Sequence, residues 1–193
     1  MGLLLIDNYD SFTYNLLQLV REQGCKDIEV IKYGEVNSGI VGHFDKILIS
    51  PGPGTPDDFP NLEKWIREFE STKSILGICL GHDAIARAYN GNLRRLDGVF
   101  HGVPKKMEIT GKDEYLFKRL PRSFLGGLYH SWVVDDKGFP ENLQITAKST
   151  NGEIMALAHK DFDVHGLQFH PESIMTEFGG DIIGNWLNGK SKL

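Results

Sequence analysis

The sequence predicts an α/β fold: a central, mostly parallel sheet with helices on both faces and an added region of antiparallel or mixed strands. Three observations lead there. Short, continuous apolar runs alternate with helical patterns through the first half of the chain, as strands buried on both faces require. From about residue 92 to residue 168 the pattern changes to shorter alternating runs. Residues with chemical potential, Asp7, Gly52 and Cys79, fall just beyond the carboxyl ends of the expected strands, where ligands sit in open α/β sheets.

Taken in order, Leu3 to Ile6 reads as a first strand feeding a helix from about Ser11 to Glu22. Ile28 to Lys32 and Lys46 to Ile49 are the second and third strands. Asn61 to Ser71 should be helical, because Leu62, Trp65, Ile66 and Phe69 recur at i, i+3, i+4 and i+7 and form one apolar stripe. Ser74 to Ile78 is a buried strand, and Asp83 to Tyr89 a helix. Lys106 to Thr110, Leu143 to Lys148 and Ile154 to Ala158 are the added strands, and a last helix runs from about Gly180 to Leu187. Residues 1–193 form one domain, without internal repeat or low-complexity segment.

Composition narrows the function. A net charge of −5 and no basic run argue against nucleic acid as the main ligand. No apolar stretch is long enough to span a bilayer, and Gly2 to Ile6 is too short for a signal sequence. Cys25 and Cys79 show no disulfide spacing, which suits a reducing cytoplasm. The histidines lack the Cys/His spacing of zinc sites, so no metal is expected. The terminal Ser191-Lys192-Leu193 matches a peroxisomal address but reads as a solvated tail.

In Gly77-Ile78-Cys79-Leu80-Gly81 a cysteine stands at the joint between a buried strand and a helix, flanked by glycines. A thiol at a helix N-terminus faces unpaired N–H groups, which favour thiolate. Sharp strand-to-helix turns that carry nucleophiles use glycines because side chains have no room there. A structural buried cysteine would look the same in isolation. A nucleophile needs a base, and Gln168-Phe169-His170-Pro171-Glu172 offers one. Residues two apart on an extended chain point to the same side, so Glu172 can orient His170. In Ser50-Pro51-Gly52-Pro53-Gly54-Thr55-Pro56, prolines fix a loop whose glycines let backbone N–H groups approach a ligand.

These motifs, with Asp7-Asn8-Tyr9-Asp10-Ser11-Phe12, His101-Gly102 and Tyr129-His130-Ser131, occur in order along nearly the whole chain. The sequence thereby resembles the class I, triad-type glutamine amidotransferases, and within them the glutaminase subunits of anthranilate synthase and aminodeoxychorismate synthase. The resemblance implies a flavodoxin-like sheet. It implies that Cys79 attacks the side-chain amide of L-glutamine, with His170 as proton shuttle and Glu172 as its orienting acid. Gly52, Pro53 and Gly54 would line the glutamine site, the Gly52 region and the Leu80 N–H would form the oxyanion hole, and the backbone of Ser131 and Trp132 would hold the amino-acid end. The partner implied is a chorismate-using synthase subunit carrying any magnesium, anthranilate synthase being the leading expectation and the folate-pathway enzyme the alternative. No cofactor is implied for this chain.

Three places depart from the family pattern, the first being Trp132, where relatives usually carry leucine and where a backbone contact would survive the change. Asp83 stands where the family usually has a substrate-contacting glutamine. It could pair with the α-ammonium of glutamine while repelling a thiolate at Cys79 and the substrate's α-carboxylate, or serve only as an acidic first-turn residue. In the former case the chain could be a weak glutaminase or a non-catalytic regulatory subunit. Gly126-Gly127-Leu128 stands where relatives usually carry an arginine, and an altered local surface is expected. A γ-glutamyl hydrolase with the same triad is disfavoured by the Asp7 to Phe12 segment.

Overall fold

The computed structural model describes residues 2–96, 98, 100–111 and 114–189, and the Ser191-Lys192-Leu193 tail lies outside them. In chain order the elements are β1 (Leu3–Asp7), α1 (Thr13–Glu22), β2 (Ile28–Lys32), α2 (Ser38–Gly42), β3 (Lys46–Ile49), α3 (Asn61–Phe69), β4 (Ser74–Ile78) and α4 (Leu80–Ala88). There follow β5 (Leu93–Arg95), β6 (Val103–Ile109), β7 (Ser123–Leu128), β8 (Trp132–Val134), β9 (Leu143–Ser149), β10 (Ile154–His159), β11 (Val164–Leu167) and α5 (Gly179–Asn188).

Nine strands form one sheet in the order β2-β1-β3-β4-β11-β10-β9-β6-β7. The first five are parallel, and their order is the flavodoxin-like 2-1-3-4-5 with β11 in fifth place. The last four pair antiparallel. Strands β5 and β8 make a separate antiparallel pair.

Strand alternation divides the apolar residues between two cores. Leu3, Leu5, Leu48 and Leu76 face one side, covered by Leu16, Leu17 and Val20 of α1 and by Ile182, Ile183 and Trp186 of α5. Leu4, Ile6, Ile47, Ile49 and Ile75 face the other, covered by Val41 of α2, Leu62, Trp65 and Ile66 of α3, and Ala84 and Ile85 of α4. Each large apolar side chain so buried stabilises the fold by about 1.5–3 kcal/mol. In β10 the alternation slips: Met155 and Ala156 both join the first core, because the register to β9 shifts on either side of Ala156.

The expected elements are present with small shifts. The helix after Cys79 begins at Leu80 rather than Asp83, so Cys79 is its N-cap. Strands β5, β7 and β8 and the short α2 have no clear periodic signal in the sequence. Gly126, Gly127 and Leu128 are buried in β7, which overturns the expectation of an altered surface. A side-chain carbon on Gly127 would come within 2.8 Å of Ser173 Oγ. These glycines let β7 close against the segment that follows β11.

At the edge opposite the carboxyl ends of the parallel strands lies a buried ionic network. His165 Nε2 is 2.9 Å from Asp163 Oδ1, and its Nδ1 is 3.1 Å from Glu114 Oε1. Tyr115 donates its hydroxyl to Asp163 at 2.7 Å, while Lys46 Nζ donates to Ser74 Oγ and to the Trp186 carbonyl. Burial disfavours the charged His165, but hydrogen bonds to Asp163 and Glu114 outweigh it and its pKa is pushed up to about 8. A histidine pKa raised on folding adds stability that is fully present below the unfolded value of 6.5 and is lost as pH rises through about 8. His165→Gln is therefore expected to cost about 3 kcal/mol in acidic buffer, measured by denaturant unfolding. The gap to the wild type should narrow as pH rises from about 6.5 to about 9. A gap independent of pH would contradict this account.

Candidate active site

Cys79 sits at φ 51° and ψ −100°, a left-handed conformation that L side chains rarely adopt. Its surroundings fix it there. The Cys79 N–H donates to Leu167 O of β11 at 2.7 Å, and its own carbonyl accepts from Asp83 N at 3.0 Å, starting α4. The flanking glycines are required by contact. A side chain on Gly77 would collide with the Gly81 backbone, and one on Gly81 would lie 2.9 Å from Ile49 O of β3. The turn therefore packs on its own strand and on the next, and the sulfur is left at the helix N-terminus with 8% of the residue exposed.

The second group arrives at the end of β11. Gln168 and Phe169 are fully buried, and His170 is tied to β7 by its N–H to Gly127 O at 3.0 Å. His170 Nδ1 lies 2.7 Å from Glu172 Oε1, and both side chains are buried. His170 Nε2 is buried without a hydrogen-bond partner, and Cys79 lies close enough to act on the imidazole. Burial opposes the imidazolium, yet Cys79 and Glu172 outweigh it and push the His170 pKa up to about 10. Thr176 Oγ1 donates to the His170 carbonyl and accepts from Gly127 N, closing the loop on β7.

Aromatic rings enclose the imidazole. The Phe12 ring lies 5.7 Å from His170 and the Tyr129 ring 4.8 Å, and Tyr129 OH pairs with Ser173 Oγ at 3.0 Å. Phe12 is placed by the turn after β1, in which Asp7 accepts from Tyr9 N and Thr13 Oγ1, and Asp10 from Phe12 N. Asp10 approaches the same pair, and burial holds its carboxyl above the usual carboxylate range. Phe12 and Tyr129 fall within motifs visible in the sequence, but their place around the imidazole, like that of Thr176, depends on packing between distant segments.

A pocket of about 170 Å³ opens over the sulfur. Gly52, Pro53 and Gly54 line one wall, Cys79, Leu80 and Asp83 another, and Ser131 and Trp132, with Tyr129 and His130, the third. The 50–56 loop is cross-linked to the turn after β1: Asn8 N donates to Ser50 Oγ and Asn8 Nδ2 to Ser50 O, both at 2.9 Å. On the far wall, Leu96 N donates to Ser131 O and His130 Nδ1 to Trp132 O. Burial lowers the His130 pKa to about 4, so this ring stays neutral. Cys79 and the residues expected at the substrate site from the sequence line this pocket, while His170 and Glu172 pair outside its lining, with Cys79 close enough to His170 to influence it. Asp83 is in the first turn of α4, 6% exposed, with Oδ1 3.1 Å from His82 Nδ1. Burial raises its pKa, partly offset by His82.

The arrangement sets a sulfur at a helix N-terminus on the wall of a cavity, with an imidazole and its own carboxylate nearby. Nucleophilic acyl transfer is the chemistry it can support. The chain belongs to the class I glutamine amidotransferase family, whose model matches residues 4–189. It is 40% identical to a putative anthranilate synthase component II of Haemophilus influenzae, over 97% of this chain and 96% of that protein. It is 41% identical to aminodeoxychorismate synthase component 2 of Klebsiella aerogenes, over 96% of this chain and 99% of the relative. In fold it is similar to a putative GMP synthase subunit of Thermoplasma acidophilum, with a TM-score of 0.85, 23% identity, and coverage of 97% and 92% of the two chains.

If Glu172 holds the charge on His170, Glu172→Gln should lower the imidazole pKa by at least about one unit. Titration of the His170 ring by NMR measures this. An unchanged midpoint would remove Glu172 from the pair.

Proposed function

We propose that this chain is the glutaminase subunit of a chorismate-aminating synthase, anthranilate synthase in the first instance. The observation that carries the reading is the strained cysteine turn opening into one pocket with a buried His–Glu pair behind it. In this mechanism the Cys79 sulfur attacks the δ-carbon of L-glutamine. N–H groups of Leu80 and the Gly52 region stabilise the resulting oxyanion, each such donor being worth about 3–4 kcal/mol. His170 gives its proton to the amide nitrogen, the C–N bond breaks, and ammonia leaves a glutamyl thioester on Cys79. Water then attacks the thioester while His170 takes its proton, releasing glutamate and restoring the sulfur. Glu172 keeps the imidazole in one orientation and balances its charge throughout.

Ammonia released into neutral water picks up a proton and ceases to be a nucleophile, so the product must pass to its acceptor under cover. The partner is therefore a synthase subunit docked over this site, carrying the chorismate and any magnesium. The names of the relatives, component II and component 2, support a two-subunit enzyme. Similar identity to relatives named for both synthases keeps the folate-pathway enzyme as the second reading. Identification of the product made with the co-purified partner discriminates between them.

Cys79→Ser in the assembled complex is expected to lower glutamine-dependent amination by at least about a thousandfold and to leave amination by added ammonia within about twofold. Loss of both activities in an intact complex would contradict the division of labour.

A further inference from the structure

A cavity of about 560 Å³ lies away from Cys79, where the connection between β6 and β7 folds over the sheet. Glu114, which lines it, belongs to the ionic network at the edge opposite the carboxyl ends of the parallel strands, and the cavity shares no residue with the cysteine pocket. Nothing in the glutaminase reading uses it. Its volume is that of a small-molecule site.

Hydrogen bonds fix its frame. Ile109 N donates to Arg122 O at 2.9 Å and closes the base of the connection. Asn185 of α5 donates from Nδ2 to the carbonyls of Leu116 and Lys118, at 2.9 and 3.0 Å. Glu114 accepts from Leu116 N at 3.1 Å while its Oε1 also faces His165 of β11. The cavity is therefore built into the fold rather than left between loose loops.

Its lining divides by chemistry. Phe117 is buried, and Ile109 and Leu120 are partly buried on the first core, so these three supply an apolar floor. Lys118, Arg119 and Arg122 are exposed and stand at the rim. Among the described residues none of the three cations is ion-paired. Glu114, the one carboxylate among the described lining residues, is buried, and its charge is met by His165 Nδ1 at 3.1 Å. In a chain of net charge −5, three cations around one apolar cavity make a local field that attracts anions. Arg119 also sits at φ 67°, where glycine would be relaxed, so its side chain is kept at the rim at a backbone cost.

We propose that this cavity binds a phosphorylated small molecule, its phosphate held by Lys118, Arg119 and Arg122 and its apolar body resting on Ile109, Phe117 and Leu120. A phosphate monoester is close to dianionic at neutral pH, and guanidinium forks bond its oxygens in pairs. A monocarboxylate would use only part of the cationic rim. An inorganic ion would leave the floor in water.

The test titrates phenyl phosphate into the full chain by calorimetry, beside benzoate and inorganic phosphate, while backbone amide shifts locate the site. Phenyl phosphate should bind with a Kd below about 1 mM, at least about tenfold tighter than either comparison compound, and should move the amides of residues 114–122. Arg119→Gly combined with Arg122→Gln should weaken it at least about tenfold, because glycine suits the left-handed backbone and removes the charge without strain. Lys118→Gln combined with Arg122→Gln gives the same readout should the first form not fold. No binding, binding no tighter than that of inorganic phosphate or benzoate, or binding that both variants leave intact would overturn the proposal. Glutamine hydrolysis does not enter the readout, so such a failure leaves the glutaminase reading standing.

Discussion

Cys79 occupies a backbone conformation that costs about 1–3 kcal/mol for a side-chain-bearing residue, and the arrangement of the site depends on that strain being held. The holding is done by the sheet. Its N–H is taken by Leu167 of β11, its carbonyl starts α4, and Gly77 and Gly81 allow the turn to close against β3 and itself. Buried strands on both sides leave the residue no route to a relaxed geometry. In return the sulfur stands at the N-terminus of a helix and at the floor of a cavity.

The same strand that fixes the cysteine delivers its partner. β11 lies between the parallel and antiparallel halves of the sheet, adjacent to β4 on one side and β10 on the other. Chain leaving β11 can therefore turn toward the carboxyl end of β4, where Cys79 is, while bonding to β7 through His170 and Thr176. The antiparallel half thus serves as a support for the imidazole. Phe12 from the turn after β1 and Tyr129 from the segment after β7 close around that ring, so three remote parts of the chain determine its orientation.

Much of this is legible in the sequence because the parallel half consists of uninterrupted apolar strands with helices of clear period. Leu62, Trp65 and Ile66 do face one core, as their spacing requires. The cysteine turn, the His-Pro-Glu segment and the glycine-proline loop are visible as motifs because each has a local backbone requirement. What stays hidden depends on contact between distant segments. Gly126 and Gly127 read as a surface change, but they are buried because β7 must approach Ser173 and Phe169 closely. Strands β5 and β8, three residues each, are too short to show alternation. Thr176 and Phe12 act on His170 through tertiary packing, which no local pattern records.

Covalent trapping tests the central claim, that the sulfur held by this strained turn is the reacting nucleophile. A glutamine analogue with an electrophilic diazoketone in place of the amide is incubated with the assembled complex, and the adduct is mapped by peptide mass. One equivalent on the peptide containing Cys79, formed more slowly when glutamine is present, is the result expected. Labelling at Cys25 instead, or no glutamine-protected adduct at all, would contradict the account.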